Sequence, residues 1–194
     1  MANKIEDLRN DMTILQSDII CLSETWLMSD SIVDSSKIPG YDVDVNSVGK
    51  GKGIMTYFKP TVGIPSAKVK KPKVQISQID TEKVDVINIY RSQGADNLEI
   101  VVDLIEIIEN GKPSIICGDM NLCYIDERDN DITRMLESQG FEQLVTESSH
   151  LQGGHIDHVY SNLDPAIFKV EVSMYSPYYT CRDHDAFCIS ITHR

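Results

Sequence analysis

The sequence predicts an α/β protein built from face-to-face sheets with helices outside, and three observations carry that prediction. The first is Ser114-Ile115-Ile116-Cys117-Gly118-Asp119-Met120-Asn121, an apolar, β-branched run with a polar tip. It is too short for most helices and reads as a buried strand whose end carries chemistry. The second is a helical spacing of Ile5, Leu8, Met12 and Leu15 that feeds a short apolar segment, Asp18-Ile19-Ile20-Cys21-Leu22. The third is a change to period two from Tyr41 onward, the mark of an antiparallel meander. Helices alternating with strands at one point and strands following strands at another give layered, mixed, mostly antiparallel sheets.

Taken in order, the chain opens with an amphipathic helix, then a buried strand that ends at Ser23-Glu24-Thr25-Trp26, then a loop through Pro39-Gly40. Strands are expected at Tyr41 to Val45, Ile54 to Phe58, Val62 to Val69, Val74 to Ile79 and Val84 to Tyr90. Glycines, prolines and charged turns punctuate them. Gly49-Lys50-Gly51-Lys52-Gly53 lacks the spacing of a phosphate-cradling loop and leads into a strand, so it reads as a hairpin. Leu98, Val101, Val102, Leu104, Ile105 and Ile108 form a wide apolar helical face, with Asp96 or Asn97 as N-cap and Gly111 past the end. A second helix spans Asp131 to Gln139, closed by Gly140. Strands follow near Phe141 to Val145, His155 to Ser161, Ile167 to Tyr175 and Ala186 to Thr192. No repeat or linker interrupts the chain, so a single domain over 1–194 is expected.

Composition bounds the function. A hydrophobic content of 41% supplies a substantial core, and no stretch approaches the length of a membrane span. The start lacks a charged-then-apolar leader, and five cysteines without a CxxC pair read as free thiols, Cys21, Cys117 and Cys188 within apolar segments. A soluble protein of a reducing, intracellular compartment is expected, with no membrane partner. The net charge of −12 opposes general polyanion binding. Two features offset it: a divalent cation in an acidic site, and the concentration of Lys50, Lys52, Lys59, Lys68, Lys70, Lys71 and Lys73 in one segment. Those lysines read equally as a solvated hairpin edge.

At the strand tip, Asp119 and Asn121 sit two apart and project from one face if the extended backbone persists that far. One group can then take a proton while the other holds an oxygen. An Asx turn closing the strand is the alternative. Four more polar segments stand at or inside apolar strands: Ser23-Glu24-Thr25-Trp26, Asn88-Ile89-Tyr90-Arg91, Gly154-His155-Ile156-Asp157-His158-Val159-Tyr160 and Arg182-Asp183-His184-Asp185. His155 shares strand parity with Asp157, whereas His158 points the other way and is assigned to the core. His150, His155, Cys181 and Cys188 do not show compact zinc-ligand spacing. Trp26 reads as packing beside the site.

In this order, the segments resemble the endonuclease/exonuclease/phosphatase superfamily of metal-dependent phosphodiesterases. SETWL, GKGKGIMTYF, IYR, CGDMN, GGHIDHVYSN and YYTCRDHDAFCISI are similar to the endonuclease domains of non-LTR retrotransposons and related mobile elements. The resemblance implies a DNase I-like, four-layer α/β/β/α sandwich. It implies Glu24 as a metal ligand, with Asp183 a second one, and Mg²⁺ or Mn²⁺ as the ion. Tyr90 would face the scissile phosphate, Asp119 would orient or deprotonate the attacking water, and Asn121 would steady nucleophile and phosphate. Asp157 and His184 would form a pair in which the carboxylate fixes the tautomer and the other ring N–H stabilises developing negative charge. Arg91 would contact phosphate or be solvated.

Two departures stand out. Members open with a strand carrying an asparagine ahead of the first helix, whereas here Met1-Ala2-Asn3-Lys4 leads almost directly into that helix. The domain is therefore expected to be N-terminally truncated and to lack its first strand, which exposes an edge. Arg182 stands where a small residue is usual. The expected activity is Mg²⁺-dependent nicking of DNA in a nucleus, with a downstream reverse transcriptase or helicase segment as the expected fusion. The competing readings are a phosphatase or phosphodiesterase on a small molecule or lipid, and a catalytically degenerate binding module.

Overall fold

The computed structural model describes residues 5–25, 36–49, 52–125, 130–145, 147–175 and 183–194. The predicted first helix is broken in two, α1 (Ile5–Asn10) and α2 (Met12–Leu15). Asp11 breaks it: its backbone is extended (φ −83, ψ 101) and its carboxylate accepts from the amides of Thr13 and Ile14. A capping aspartate inside an apolar period overrides the period.

The remaining elements are β1 (Ile19–Leu22), β2 (Asp42–Asn46), β3 (Ile54–Phe58), β4 (Gly63–Lys70), β5 (Val74–Thr81), β6 (Asp85–Arg91), α3 (Asn97–Ile108), β7 (Ser114–Asp119), α4 (Asp131–Ser138), β8 (Glu142–Gln143), β9 (Asp157–Ser161), β10 (Phe168–Tyr175) and β11 (Ala186–His193). One sheet runs β4-β5-β6-β7-β9-β8 and is antiparallel except for the parallel β6/β7 pair, joined through α3. The facing layer is divided: β1-β3-β2 forms one ladder and β10-β11 another. The sequence predicts two mixed, mostly antiparallel sheets face to face, and among the described residues the strands of the second fall into these two ladders. The strand expected over Phe141 to Val145 shrinks to Glu142–Gln143.

Parity along the strands builds four layers. Ile87, Ile89 and Ile116 point outward and pack with Ile100, Leu104 and Ile108 of α3 and Ile132 and Leu136 of α4. Each such side chain, once buried, stabilises by roughly 1.5–3 kcal/mol. On the opposite outer face, Ile5 and Leu8 of α1 cover Ile20, Val45, Met55 and Tyr57. Between the sheets, Ile115, Cys117 and Val159 meet Cys21 of β1 and Val170, Val172, Phe187 and Ile189 of the β10-β11 ladder. The rest of that interior is polar and cross-linked: the buried Asn88 amide donates to Thr56 Oγ1 at 3.0 Å and to the Met55 carbonyl at 3.3 Å.

The apolar face predicted for α3 is only partly used. Leu98, Val102 and Ile105 remain 61%, 56% and 40% exposed, because the helix lies on the sheet through the narrower stripe of Ile100, Leu104, Ile107 and Ile108. Among the described residues no helix is long and apolar enough to cross a membrane.

Candidate active site

The strand register places three of the predicted site residues in one row. Tyr90 pairs with Asp119 across β6/β7, and Asp119 pairs with Asp157 across β7/β9. Residues in such a row share a face, and Cys117 and Val159, one alternation back, show that this is the inner face.

Gly118 makes the row possible. Its φ is 141°, and a Cβ there would lie 1.9 Å from the Ile89 carbonyl oxygen. Only glycine lets β6 and β7 close at this point. Beyond Asp119 the extended backbone ends: Asn121 has φ 46°. The expectation that Asp119 and Asn121 share a strand face therefore fails, and the two meet through an Asx turn instead. The Asn121 amide N–H donates to Asp119 Oδ1 at 2.9 Å, and Asn121 Nδ2 donates to Asp119 Oδ2 at 3.1 Å and to the Arg91 carbonyl at 2.8 Å.

Arg91 is neither solvated nor a free phosphate contact. It is 6% exposed and donates to the carbonyls of Met120, Asn121 and Ala95 and to Asn97 Oδ1. It braces the Asp119–Asn121 turn from behind.

Glu24 follows β1 in a left-handed conformation, φ 49°. Tyr90 donates its phenolic proton to Glu24 Oε1 at 3.0 Å. The Glu24 loop is held by the hairpin glycine: the Thr25 amide donates to the Gly53 carbonyl, and the Gly53 amide donates to Gln75 Oε1, each at 3.2 Å. A predicted flexible hairpin thus anchors the site at its base.

Asp157 Oδ2 lies 2.8 Å from His184 Nδ1, so the imidazole donates that proton to the carboxylate and keeps Nε2 for other work. Among the described residues, two groups of ligand-type atoms lie within 4.8 Å of one another: Asp119, Asp157 and His184, and His150, Asp183 and His184. Glu24 falls in neither. The predicted metal ligands Glu24 and Asp183 are therefore not brought together in one such group, and Asp183 joins the exposed side of the cluster with His150. The His150 and His184 rings meet edge to face, centroids 4.8 Å apart.

The electrostatics follow from burial and like charge. Burial, then the Asp157 charge, push the Asp119 carboxyl up to about 7, against the Asn121 backbone hydrogen bond. The hydrogen bond to Asp157 raises His184 to about 9, against burial. Burial raises the Tyr90 phenol, and the Glu24 charge adds to it. One group thus sits poised near neutrality beside another that stays cationic well above it.

His158 lies in the core as its parity predicts, 1% exposed with Nε2 donating to the carbonyls of Leu122 and His155, and burial lowers its pKa. The lysine segment is mostly engaged internally. Lys68 pairs with Asp44, Lys71 with Glu99 and Asp103, Lys59 with Asp18, and Lys52 and Lys73 donate to backbone carbonyls. Asn3, Trp26, Lys50, Cys181 and Arg182 lie outside the described residues. Ser149, buried against Asp157, escaped the sequence reading because a serine in Glu147-Ser148-Ser149-His150 carries no distinguishing pattern.

Solved structures with this fold include the human Nocturnin catalytic domain, 13% identical over 100% of this chain and 87% of that one, TM-score 0.66. The endonuclease domain of TRAS1, a telomere-specific non-LTR retrotransposon, is 14% identical over 97% and 89%, TM-score 0.64. An AP endonuclease from Archaeoglobus fulgidus is 15% identical over 97% and 92%, TM-score 0.63. No curated protein matches the sequence. The family model for endonucleases, exonucleases and phosphatases matches residues 2–180. The chain belongs to the endonuclease/exonuclease/phosphatase family, hydrolases that act on phosphodiester bonds and generally use divalent metals.

Proposed function

We propose that this protein is a Mg²⁺-dependent endonuclease that nicks DNA for a mobile element, and the observation that carries the reading is the buried Asp119 beside the hydrogen-bonded Asp157–His184 pair. Asp119 takes the proton of the attacking water; a carboxyl near 7 is a base matched to neutral pH. Asn121 holds the Asp119 carboxylate in place by its two donors. His184 keeps Nδ1–H on Asp157 and offers Nε2–H to the phosphorane oxygen as negative charge develops there. Tyr90 keeps the Glu24 carboxylate oriented.

The residues fit a hard divalent cation, because the carboxylates of Glu24, Asp119 and Asp157 offer oxygen donors and no thiolate stands in either ligand group, while His184, with both ring nitrogens used as donors, is left out of the set. Glu24 would hold the ion, with Asp183 as a second carboxylate. When bound, it supplies neutralisation of charge on the phosphate and the leaving oxygen. Mn²⁺ satisfies the same donors. The fold shared with the TRAS1 domain and the segments read from the sequence support the mobile-element role; a downstream reverse transcriptase or helicase as fusion partner and a nuclear site of action are what that role would entail.

A specific observation favours a second reading, hydrolysis of a small phosphate ester. The net charge is −12, and the lysines that would meet a polyanion are largely paired within the chain. Plasmid nicking with Mg²⁺, compared with EDTA and with Asp119→Ala, separates the two. Metal-dependent nicking lost in the variant supports the endonuclease, whereas phosphate release from small esters without nicking supports the alternative.

A further inference from the structure

Asp157 and His184 come from different parts of the fold. Asp157 opens β9 of the six-stranded sheet, and His184 precedes β11 of the separate β10-β11 ladder. No strand pairing joins β9 to β11, so the pair needs another tie. Residues 149–151 provide one. The Asp185 amide donates to the Ser149 carbonyl and the Leu151 amide donates to the Asp183 carbonyl, each at 2.9 Å, flanking an antiparallel bridge between His150 and His184.

The same short segment reaches Asp157 through one side chain. Ser149 is fully buried, and its Oγ donates to Asp157 Oδ2 at 2.7 Å while accepting the Asp157 amide N–H at 3.2 Å. Asp157 Oδ2 is also the atom that takes the His184 proton. A carboxylate turns easily about its last bond. Two donors on one oxygen, with the serine held in turn by the Asp157 backbone, fix that rotation.

We propose that Ser149 is a positioning residue for the Asp157–His184 pair, with the 149–151 segment as the tie that carries it; this rests on the role given to that pair above. Ser149 touches no reacting atom. Its hydroxyl proton is directed to a carboxylate and its lone pair to an amide, and it is buried, so it is not a nucleophile. It acts by keeping Oδ2 aimed at Nδ1.

The test compares wild type with Ser149→Ala, Ser149→Cys and Ser149→Thr by two readouts. The first is the imidazole Nδ1–H resonance of His184 at fixed pH, assigned with His184→Gln; the second is kcat and KM for nicking. In Ser149→Ala the resonance is expected to be lost to solvent exchange, and kcat to fall about 10–100-fold with KM within about twofold, the size typical of an outer residue that orients a site. Ser149→Thr, which keeps the hydroxyl, is expected to restore both. Ser149→Cys fills nearly the same space with a weak donor; it is expected to lose the resonance, and it serves where Ser149→Ala does not fold. A resonance and kcat unchanged in the folded Ala or Cys variant would overturn the proposal. If wild type shows the resonance but does not nick DNA, the endonuclease reading fails, while the resonance in the variants still decides the role of Ser149.

Discussion

The six-stranded sheet carries a group of acids around one buried aspartate at each end, and the two groups are built in opposite ways. Where β6 and β7 begin, Asp85 is 1% exposed yet answered by Lys112, which also pairs with Asp80, and by donors from Gln78 at 2.6 Å and Asn110 at 3.3 Å. Lys112 holds the Asp80 carboxyl below its ordinary range. Where β6 and β7 end, Asp119 is 3% exposed beside Asp157 and Glu24, and the one cation among their described partners is His184. A neutralised acid cluster fixes strand ends; an under-neutralised one is costly and marks the place where a substrate or a cation completes the balance.

Substitutions at the two ends should therefore separate activity from stability. Asp119→Ala is expected to reduce nicking by at least about a thousandfold while leaving the urea midpoint no lower than wild type. Lys112→Met leaves Asp85 buried without its cation. Because Lys112 is a quarter exposed, its loss is expected to cost about 2–4 kcal/mol by urea unfolding, at the low end for a broken buried pair, with nicking per folded molecule unchanged. Equal effects of both variants on both readouts would erase the contrast. Gly118→Ala, one residue before Asp119 at the site end of β7, should remove both properties, because the new methyl meets the Ile89 carbonyl rather than a movable side chain. About 3 kcal/mol or more of stability is expected to go, seen as a lower urea midpoint.

What was legible in the sequence follows the same division. The strand and helix periods gave the layers, because burial writes itself into spacing, and polar residues at strand ends named Tyr90, Asp119, Asp157 and His184 together with the family resemblance. Three things were not legible. The break at Asp11 comes from a local side-chain cap competing with a sound apolar period. The choice between the two sequence alternatives for Asp119 and Asn121, a shared strand face or an Asx turn, depends on a left-handed backbone at Asn121, which a strand period does not encode. The roles of Arg91 and Ser149 rest on partners remote in sequence, the turn at Met120–Asn121 and the carboxylate of Asp157.

The pH dependence sharpens the comparison because the site end titrates near neutrality. In the reading above, Asp119 must be ionised and His184 protonated, so with the carboxyl at about 7 and the imidazole at about 9 the rate should rise through the first value and fall through the second. A bound cation favours the ionised carboxylate, so the acid limb should move to lower pH as metal concentration increases, and the basic limb should move much less. Asp157→Asn removes the main cause of the raised imidazole and should bring the basic limb down by about one unit or more, measured as kcat/KM against pH. An unmoved basic limb would detach it from His184.

The smallest expected effect is on stability, and its sign is unusual for a substitution in a site. Asp119 binds its proton more tightly in the folded chain, about 7 against an ordinary 3.8. Between pH 4 and 7 the folded protein therefore holds a proton that the unfolded chain has released, and stability falls as pH rises through that window, then levels off. Asp119→Asn is neutral throughout and escapes this loss. The full shift corresponds to about 4 kcal/mol, but the new amide presents a donor to Asn121, whose own N–H and Nδ2–H both point at residue 119. The net gain is expected to be on the order of 1–2 kcal/mol at pH 8 and close to zero or negative at pH 4, read from urea midpoints in EDTA. The same difference at both pH values would show that Asp119 is not ionised at a cost, and the contrast between the two ends of the sheet would then rest on geometry alone.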